Sequence, residues 1–307
     1  MARTRGLIAA AGTVAIAALA LTACSSGNPL SSGSSSSAKS SSSTITIGSA
    51  NFAEDEILAY IYADALSDAG VKTDVKPNIG ARDAYIAALK DGSIDLVPEY
   101  TGNLLQYFDA KATAKSSNDV YDALHGAVPS GFEVLDQAPG QDADSYNVTK
   151  KFSDQNHVTS LSDLSKVKTP LKVGANPEFG TRPYGIPGLK SQYGVTATLV
   201  PISDGGGPNT QKALKDGQVQ LADIYTTDPS IKSDGFVTLS DPKNMIVAQN
   251  IVPLISSAKA STKVKQVLNK VSAAITTDEL IAINTKSSVD KESADQIAKD
   301  WVQQKGF

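Results

Sequence analysis

Two tyrosine–threonine pairs, Tyr100-Thr101 and Tyr225-Thr226, stand 125 residues apart in a chain of 307 residues. Each directly follows an apolar run that reads as a strand. An aromatic ring at a strand end can serve the core or contact a ligand, and the repeated placement favours contact. Asn51 and Phe52 follow a short alternating run at 44–47, and Asn176 to Phe179 follow a run at 171–173. Arg182 comes shortly after. Its planar fork suits a carboxylate, and the competing use is a surface ion pair with Glu178. Thr101 and Asn103 open a helix, where they cap it, meet an anion, or do both. Asp136 either orients a tyrosine or faces a cationic ligand, and Asp204 and Asp228 are candidate polar wall residues. This set is suited to recognition without bond-making.

Catalytic patterns are sparse. There is no Gly-x-Ser-x-Gly elbow. Gly205-Gly206-Gly207 lacks the Lys-Ser/Thr of a phosphate-binding loop. Cys24 is the single cysteine and His125 and His157 are the only histidines, so no disulfide is expected, nor any metal or cofactor. The formal charge of −4, with no basic stripe, argues against nucleic acid as a partner. The chain is therefore expected not to be an enzyme. Competing readings are an anchored hydrolase using paired carboxylates and a sensor or adhesion lipoprotein with a vestigial cleft.

The elements that must position these residues alternate. Strands are expected at 44–47, 71–75, 94–97, 132–135, 146–149, 171–173, 196–200, 219–224 and 251–255. Helices are expected after Asn51, with Asn51 as cap and Glu54 completing a capping box, and at 82–90, 118–128, 160–164, 209–215, 263–276 and 293–304. Such alternation predicts an α/β fold with largely parallel sheets. A repeat sharpens this. Residues 88–96, Ala-Leu-Lys-Asp-Gly-Ser-Ile-Asp-Leu, recur at 213–221 as Ala-Leu-Lys-Asp-Gly-Gln-Val-Gln-Leu, at the same spacing as the Tyr-Thr pairs. Two similar lobes imply a cleft, with ligand beyond the carboxyl ends of the strands. The expected division is lobe 1 over 44–136 and 226–307 and lobe 2 over 137–225.

The N-terminus is separate. Arg3 and Arg5 precede an uncharged apolar run to Ala23, which describes a secretory signal over residues 1–23. Leu21-Thr22-Ala23-Cys24 resembles the lipobox of bacterial lipoproteins, so Cys24 is the expected lipidation site. Residues 24–43 are mostly serine and read as a flexible tether. The folded part is thus expected outside the cytoplasm as a monomer, held at the cell membrane only through its lipid.

Three stretches carry a family resemblance over residues 44–307: Ile47-Gly48-Ser49-Ala50-Asn51-Phe52, Asp95-Leu96-Val97-Pro98-Glu99-Tyr100-Thr101-Gly102-Asn103, and Tyr225-Thr226-Thr227-Asp228. The chain resembles the glycine betaine, carnitine and choline binding proteins of bacterial osmoprotectant ABC importers. The resemblance implies a two-lobe, type II periplasmic-binding-protein-like (Venus-flytrap) fold, a small zwitterionic osmoprotectant such as glycine betaine, choline or carnitine as ligand, with a different small polar solute as the alternative, and an ABC permease and ATPase as partners. It also implies a tyrosine cage for a quaternary ammonium, held by π faces worth about 0.5–2 kcal/mol each. Tyr100 and Tyr225 fill two of four cage positions, while Ala138 and Gln211 stand at the other two. Asp136 matches the family, the second lobe's arginine corresponds to Arg182, and Ala50 replaces a lysine that some members carry.

Overall fold

Ile45 and Ile47 alternate with Thr46 and are buried on one face of β1 (Ile45–Ala50), the first element of a computed structural model that describes residues 44–307. The expected signal, Cys24 and the serine tether lie outside the described residues. α1 (Ala53–Asp68) buries Ile57, Leu58, Ile61, Tyr62, Ala65 and Leu66, the helical spacing seen in the sequence. β2 (Thr73–Gly80), α2 (Arg82–Asp91), β3 (Leu96–Tyr100), α3 (Thr101–Phe108), α4 (Ser117–Ala127) and β4 (Phe132–Val134) follow. The chain then crosses into a second lobe. That lobe holds β5 (Tyr146–Thr149), α5 (Lys150–Asn156), β6 (Leu171–Ala175), α6 (Ile186–Tyr193), β7 (Ala197–Pro201), α7 (Pro208–Lys215), β8 (Leu221–Asp223), α8 (Ser230–Ser233) and β9 (Phe236–Thr238). It returns through β10 (Ile251–Ser256) to α9 (Thr262–Ala274), α10 (Thr277–Ser288) and α11 (Ala294–Lys305).

The described strands form two five-stranded sheets, ordered β2-β1-β3-β10-β4 and β7-β6-β8-β5-β9. These orders are the same once β6, β7 and β8 are laid on β1, β2 and β3. In each, three parallel strands are joined by an antiparallel fourth, which is the strand arriving from the other lobe. The repeated segment occupies equivalent places. Gly92 (φ +79) and Gly217 (φ +71) both end a helix in the left-handed region, which glycine enters at little cost. The next amides close the turn alike, Ser93 N to Ala88 O at 2.9 Å and Gln218 N to Ala213 O at 3.0 Å. The α/β two-lobe expectation holds, with mixed sheets in place of largely parallel ones.

The boundary differs. β9 pairs with β5 in the second sheet, so that sheet extends beyond 225, where the return to lobe 1 was expected. Each sheet is covered on both faces. In the first lobe one side holds Ile57, Leu58, Leu268 and Trp301, and the other holds Ile86, Leu89, Leu104 and Leu124. Trp301 of α11 is buried there, with Nε1 donating to Glu279 at 2.8 Å. Among the described residues no helix is long and apolar enough to cross a membrane.

Candidate functional site

Strands β1, β2, β3, β6 and β8 all end at one cavity between the sheets. Asn51 and Phe52 line it after β1, Arg82 and Tyr85 after β2, and Tyr100 and Asn103 at the end of β3. From the second lobe come Asn176, Glu178, Phe179, Arg182 and Tyr184 after β6, and Asp223 and Tyr225 at the end of β8. β5 runs antiparallel to β8, so its start reaches the same edge and brings Asp142 and Asp144. The cavity measures about 70 Å³.

Aromatic rings join the two walls. Phe52 stands 6.0 Å from Tyr100 in its own lobe and 5.4 Å, edge-on, from Tyr225 in the other. The approach depends on Gly205, where a Cβ would come within 2.9 Å of the Phe52 Cβ. Tyr85, Phe179 and Tyr184 complete the ring set and are almost fully buried.

Charge is arranged in layers. Arg82 meets Glu99 through Nε (3.0 Å) and Nη2 (2.9 Å), and both side chains are buried. Glu99 also accepts from Tyr85 OH at 2.9 Å and the Tyr100 amide at 3.1 Å. Its charge is therefore fully engaged behind the cavity wall. Glu54, beside it on α1, accepts from Tyr100 OH at 2.8 Å, from Thr227 Oγ1 of the second lobe at 2.6 Å, and from Asn284 of α10 at 2.6 Å. Burial raises its pKa, against the pull of those donors. Asp142 is raised well above the ordinary range by burial and then by the charge of Glu54. Asp223 is likewise raised, by burial first and then by the charge of Asp144.

Of the residues singled out in the sequence, Asn51, Phe52, Tyr100, Asn103, Arg182 and Tyr225 line the cavity. Arg182 forms no ion pair with Glu178 or any other described residue, which leaves its guanidinium available. Thr101 and Tyr225's neighbour Thr226 do other work. Thr101 binds the returning segment, accepting from Asn250 N at 3.1 Å, while Thr226 accepts from Ala143 N at 3.0 Å in the outgoing one. The repeated threonines thus pin the two crossings. Asp136 is exposed and lies outside the cavity, its amide donating to Asn269 at 3.2 Å. Asp204 accepts from the amides of Asn209 (2.7 Å) and Thr210 (3.2 Å) and so caps α7. Asp228 accepts from Ser230 N at 2.8 Å and Gln211 Nε2 at 3.0 Å. Asp204, Gln211 and Asp228 line a second cavity of about 530 Å³ that shares Phe52, Asp142 and Tyr225 with the first. The expected capping box does not form, because Glu54 is drawn inward and Phe52 holds the cap position without a side-chain bond.

Sequence reasoning missed Arg82, Tyr85, Asp142, Asp144, Tyr184 and Asp223. The cage positions assigned to Ala138 and Gln211 are also displaced. Ala138 is a core residue, and the additional tyrosines at the cavity are Tyr85 and Tyr184. The available signal was positional. Arg82 and Tyr85 share a face at the start of the helix after β2, and Asp223 precedes Tyr225 at a strand end.

The substrate-binding domain of the ABC-type glycine betaine transport system matches residues 43–304. The glycine betaine-binding protein YehZ of Escherichia coli (strain K12) is 26% identical over 277 residues, covering 86% of this chain and 91% of the relative. The carnitine transport binding protein OpuCC of Listeria monocytogenes is 24% identical over 276 residues, covering 86% and 87%. A crystal structure described as a glycine betaine/carnitine/choline ABC transporter has a TM-score of 0.67 at 20% identity, over 85% of this chain and 98% of that one. That likeness shows the fold, the two-lobe type II binding-protein architecture.

Proposed function

We propose, because the chain belongs to the family of substrate-binding domains of ABC-type glycine betaine transport systems, that its interlobe cavity captures a small quaternary ammonium osmoprotectant such as glycine betaine, choline or carnitine. Binding proteins of ABC importers work with a permease and an ATPase, and this chain is read as the capturing component of such a set. The observation that carries the reading is the aromatic surround: Phe52, Tyr85, Tyr100, Phe179, Tyr184 and Tyr225 at one cavity beside buried carboxyls. An alkylated ammonium has no N–H to donate, so π faces and nearby negative charge are what can hold it.

Calorimetry with glycine betaine, choline, carnitine and proline tests this. Tyr100→Ala and Tyr225→Ala should each weaken binding by about 1–3 kcal/mol, through lost cation–π and aromatic contact. Full affinity in both variants would refute the assigned cavity. Buried Asp144 and Asp223 both line the cavity, so the competing carboxylate-hydrolase reading is tested on the same samples: capture without catalysis requires no hydrolysis of an ester and amide panel at concentrations that saturate binding.

Cys24 is read as a lipid anchor, with residues 1–23 removed and the serine-rich 24–43 as tether, so that the lobes stand off the outer face of the cell membrane as a monomer. Cys24→Ser should release the protein into the aqueous phase of a detergent partition and abolish fatty-acid incorporation. Unchanged acylation would sink the anchor.

A further inference from the structure

Two cavities meet at one side chain. The first, of about 70 Å³, and the second, of about 530 Å³, have Phe52, Asp142 and Tyr225 in common. Residues that line both form the wall between them. Two of the three are tied by hydrogen bonds. Asp142 accepts from Thr226 Oγ1 at 3.1 Å and from Thr227 N at 3.0 Å, and Tyr225 OH accepts from Asn176 Nδ2 at 3.4 Å. The phenyl ring of Phe52 has no such group and is placed by packing alone. It stands edge-on to Tyr225, 5.4 Å between ring centroids. A Cβ on Gly205, at φ +63, would fall 2.9 Å from the Phe52 Cβ and 3.7 Å from its Cγ, so this glycine lets the ring seat against the second lobe. Phe52 comes from the first lobe, and Gly205 and Tyr225 come from the second. The wall is therefore complete only where the lobes meet.

The two sides of the wall differ in chemistry. The first cavity is surrounded by aromatic rings, among them Tyr85, Tyr100, Phe179 and Tyr184. In the second, Phe52 and Tyr225 are the only aromatic residues of the lining. Past Phe52 the lining is polar, with Thr227, Gln211 and Asn284 inside and Ser288 and Lys291 at an exposed rim. Such a surface can hydrogen-bond a polar group that reaches it.

We propose that Phe52 sets the length of the captured molecule. Its ring ends the first cavity, so a trimethylammonium compound is held only when its whole chain stays on the aromatic side. Without the ring the two spaces become one site, which also takes a longer chain with a polar end. The proposal rests on the reading of the first cavity as the capture site. Truncating Phe52 is tolerable for folding, because the side chain is half-buried and holds the cap position of α1 without a side-chain hydrogen bond.

Two series of ligands test this by calorimetry. One is choline and its homologues with four, six and eight carbons between the trimethylammonium and hydroxyl groups. The other is glycine betaine and longer trimethylammonio carboxylates over the same range. On the wild-type protein, affinity within a series should fall by about tenfold or more from the shortest member to the six-carbon one, because atoms forced into a filled space cost at least that much. Phe52→Ala should weaken the shortest members, which lose an aromatic contact. It should also raise the ratio of long-chain to short-chain affinity by about tenfold or more, by removing that steric cost. Phe52→Leu, with a side chain of intermediate size, should give a smaller rise and carries the test if Phe52→Ala folds poorly. The ratio is taken within one variant, so a general loss of affinity or stability cancels from it. Wild-type affinity that does not fall with length, or a ratio unchanged in a folded variant, would overturn this proposal while leaving the capture site standing. Failure of every member of both series to bind the wild-type protein would overturn the two readings together.

Discussion

Glu99→Ala should lower the stability of the described domain by about 3–5 kcal/mol, the cost of leaving a buried charge without its partner. Glu99 is fully buried and its two oxygens take four donors: Arg82 twice, Tyr85 OH and the Tyr100 amide. Removing it strands the Arg82 guanidinium, which is 8% exposed and has no other carboxylate in contact. Arg82→Met combined with Glu99→Leu should recover most of the loss, because a well-packed apolar pair of similar size avoids the desolvation of both ions. Urea unfolding of the single and double variants measures both effects. A loss below about 1 kcal/mol in Glu99→Ala would place the pair among weak surface bridges and contradict its burial.

Glu54→Ala should act on the lobes as well as on stability. Tyr100 OH of β3 and Thr227 Oγ1 of the second lobe lose their acceptor, and Asn284 Nδ2 of α10 loses one of its acceptors while keeping Thr227. A buried donor left unmade costs about 1–3 kcal/mol, and admitted water makes the sum smaller than two such losses. Thr227 is the second lobe's contribution, so the closed arrangement is weakened directly. Scattering in solution should show a larger radius of gyration for the variant, and ligand affinity should fall although Glu54 does not line the first cavity. Unchanged scattering and affinity would remove Glu54 from any role between the lobes. The wild type carries a matching pH signature. Glu54 and Asp142 are raised in the folded state, by burial first. The native protein therefore binds more protons than the unfolded chain above the ordinary carboxylate pKa, and stability should fall as pH rises from that value through the raised ones. Melting temperatures that climb from pH 5 to pH 8 would contradict it.

The fold was legible because it is written twice. A helix, an Asp-Gly turn and a buried strand recur at fixed spacing, and matching strand positions in the two sheets follow from that recurrence. β9 was not anticipated, because what makes Phe236–Thr238 a strand is its pairing with β5, far away in sequence. The site was legible where it lies on regular elements, as for Tyr100, Asn103 and Tyr225 at strand ends. Asp142 and Asp144 sit in the crossing segment, where no periodicity marks which side chains turn inward. Tyr184 follows a short 3-10 turn for the same reason. Glu54 misled because its spacing from Asn51 copies a capping box, and only tertiary contact with Thr227 and Asn284 draws it elsewhere. Gly102 gives the Tyr-Thr-Gly-Asn stretch a packing reason. A Cβ there would stand 2.4 Å from Val247 and 2.5 Å from the Ala248 carbonyl, so the start of α3 can meet the returning segment only without one.

The exchange of strands between sheets sets an order of assembly. Every strand of the second sheet lies within residues 146–238, a single uninterrupted stretch. The first sheet instead waits for β10, which sits between β3 and β4 and arrives only after the second sheet is complete in sequence. A chain delivered N-terminus first therefore holds β3 with an open edge and β4 without a neighbour while the second lobe already has all its strands. During that interval the unpaired edge of β3, a run of buried residues in the finished fold, is the segment most exposed to wrong pairing.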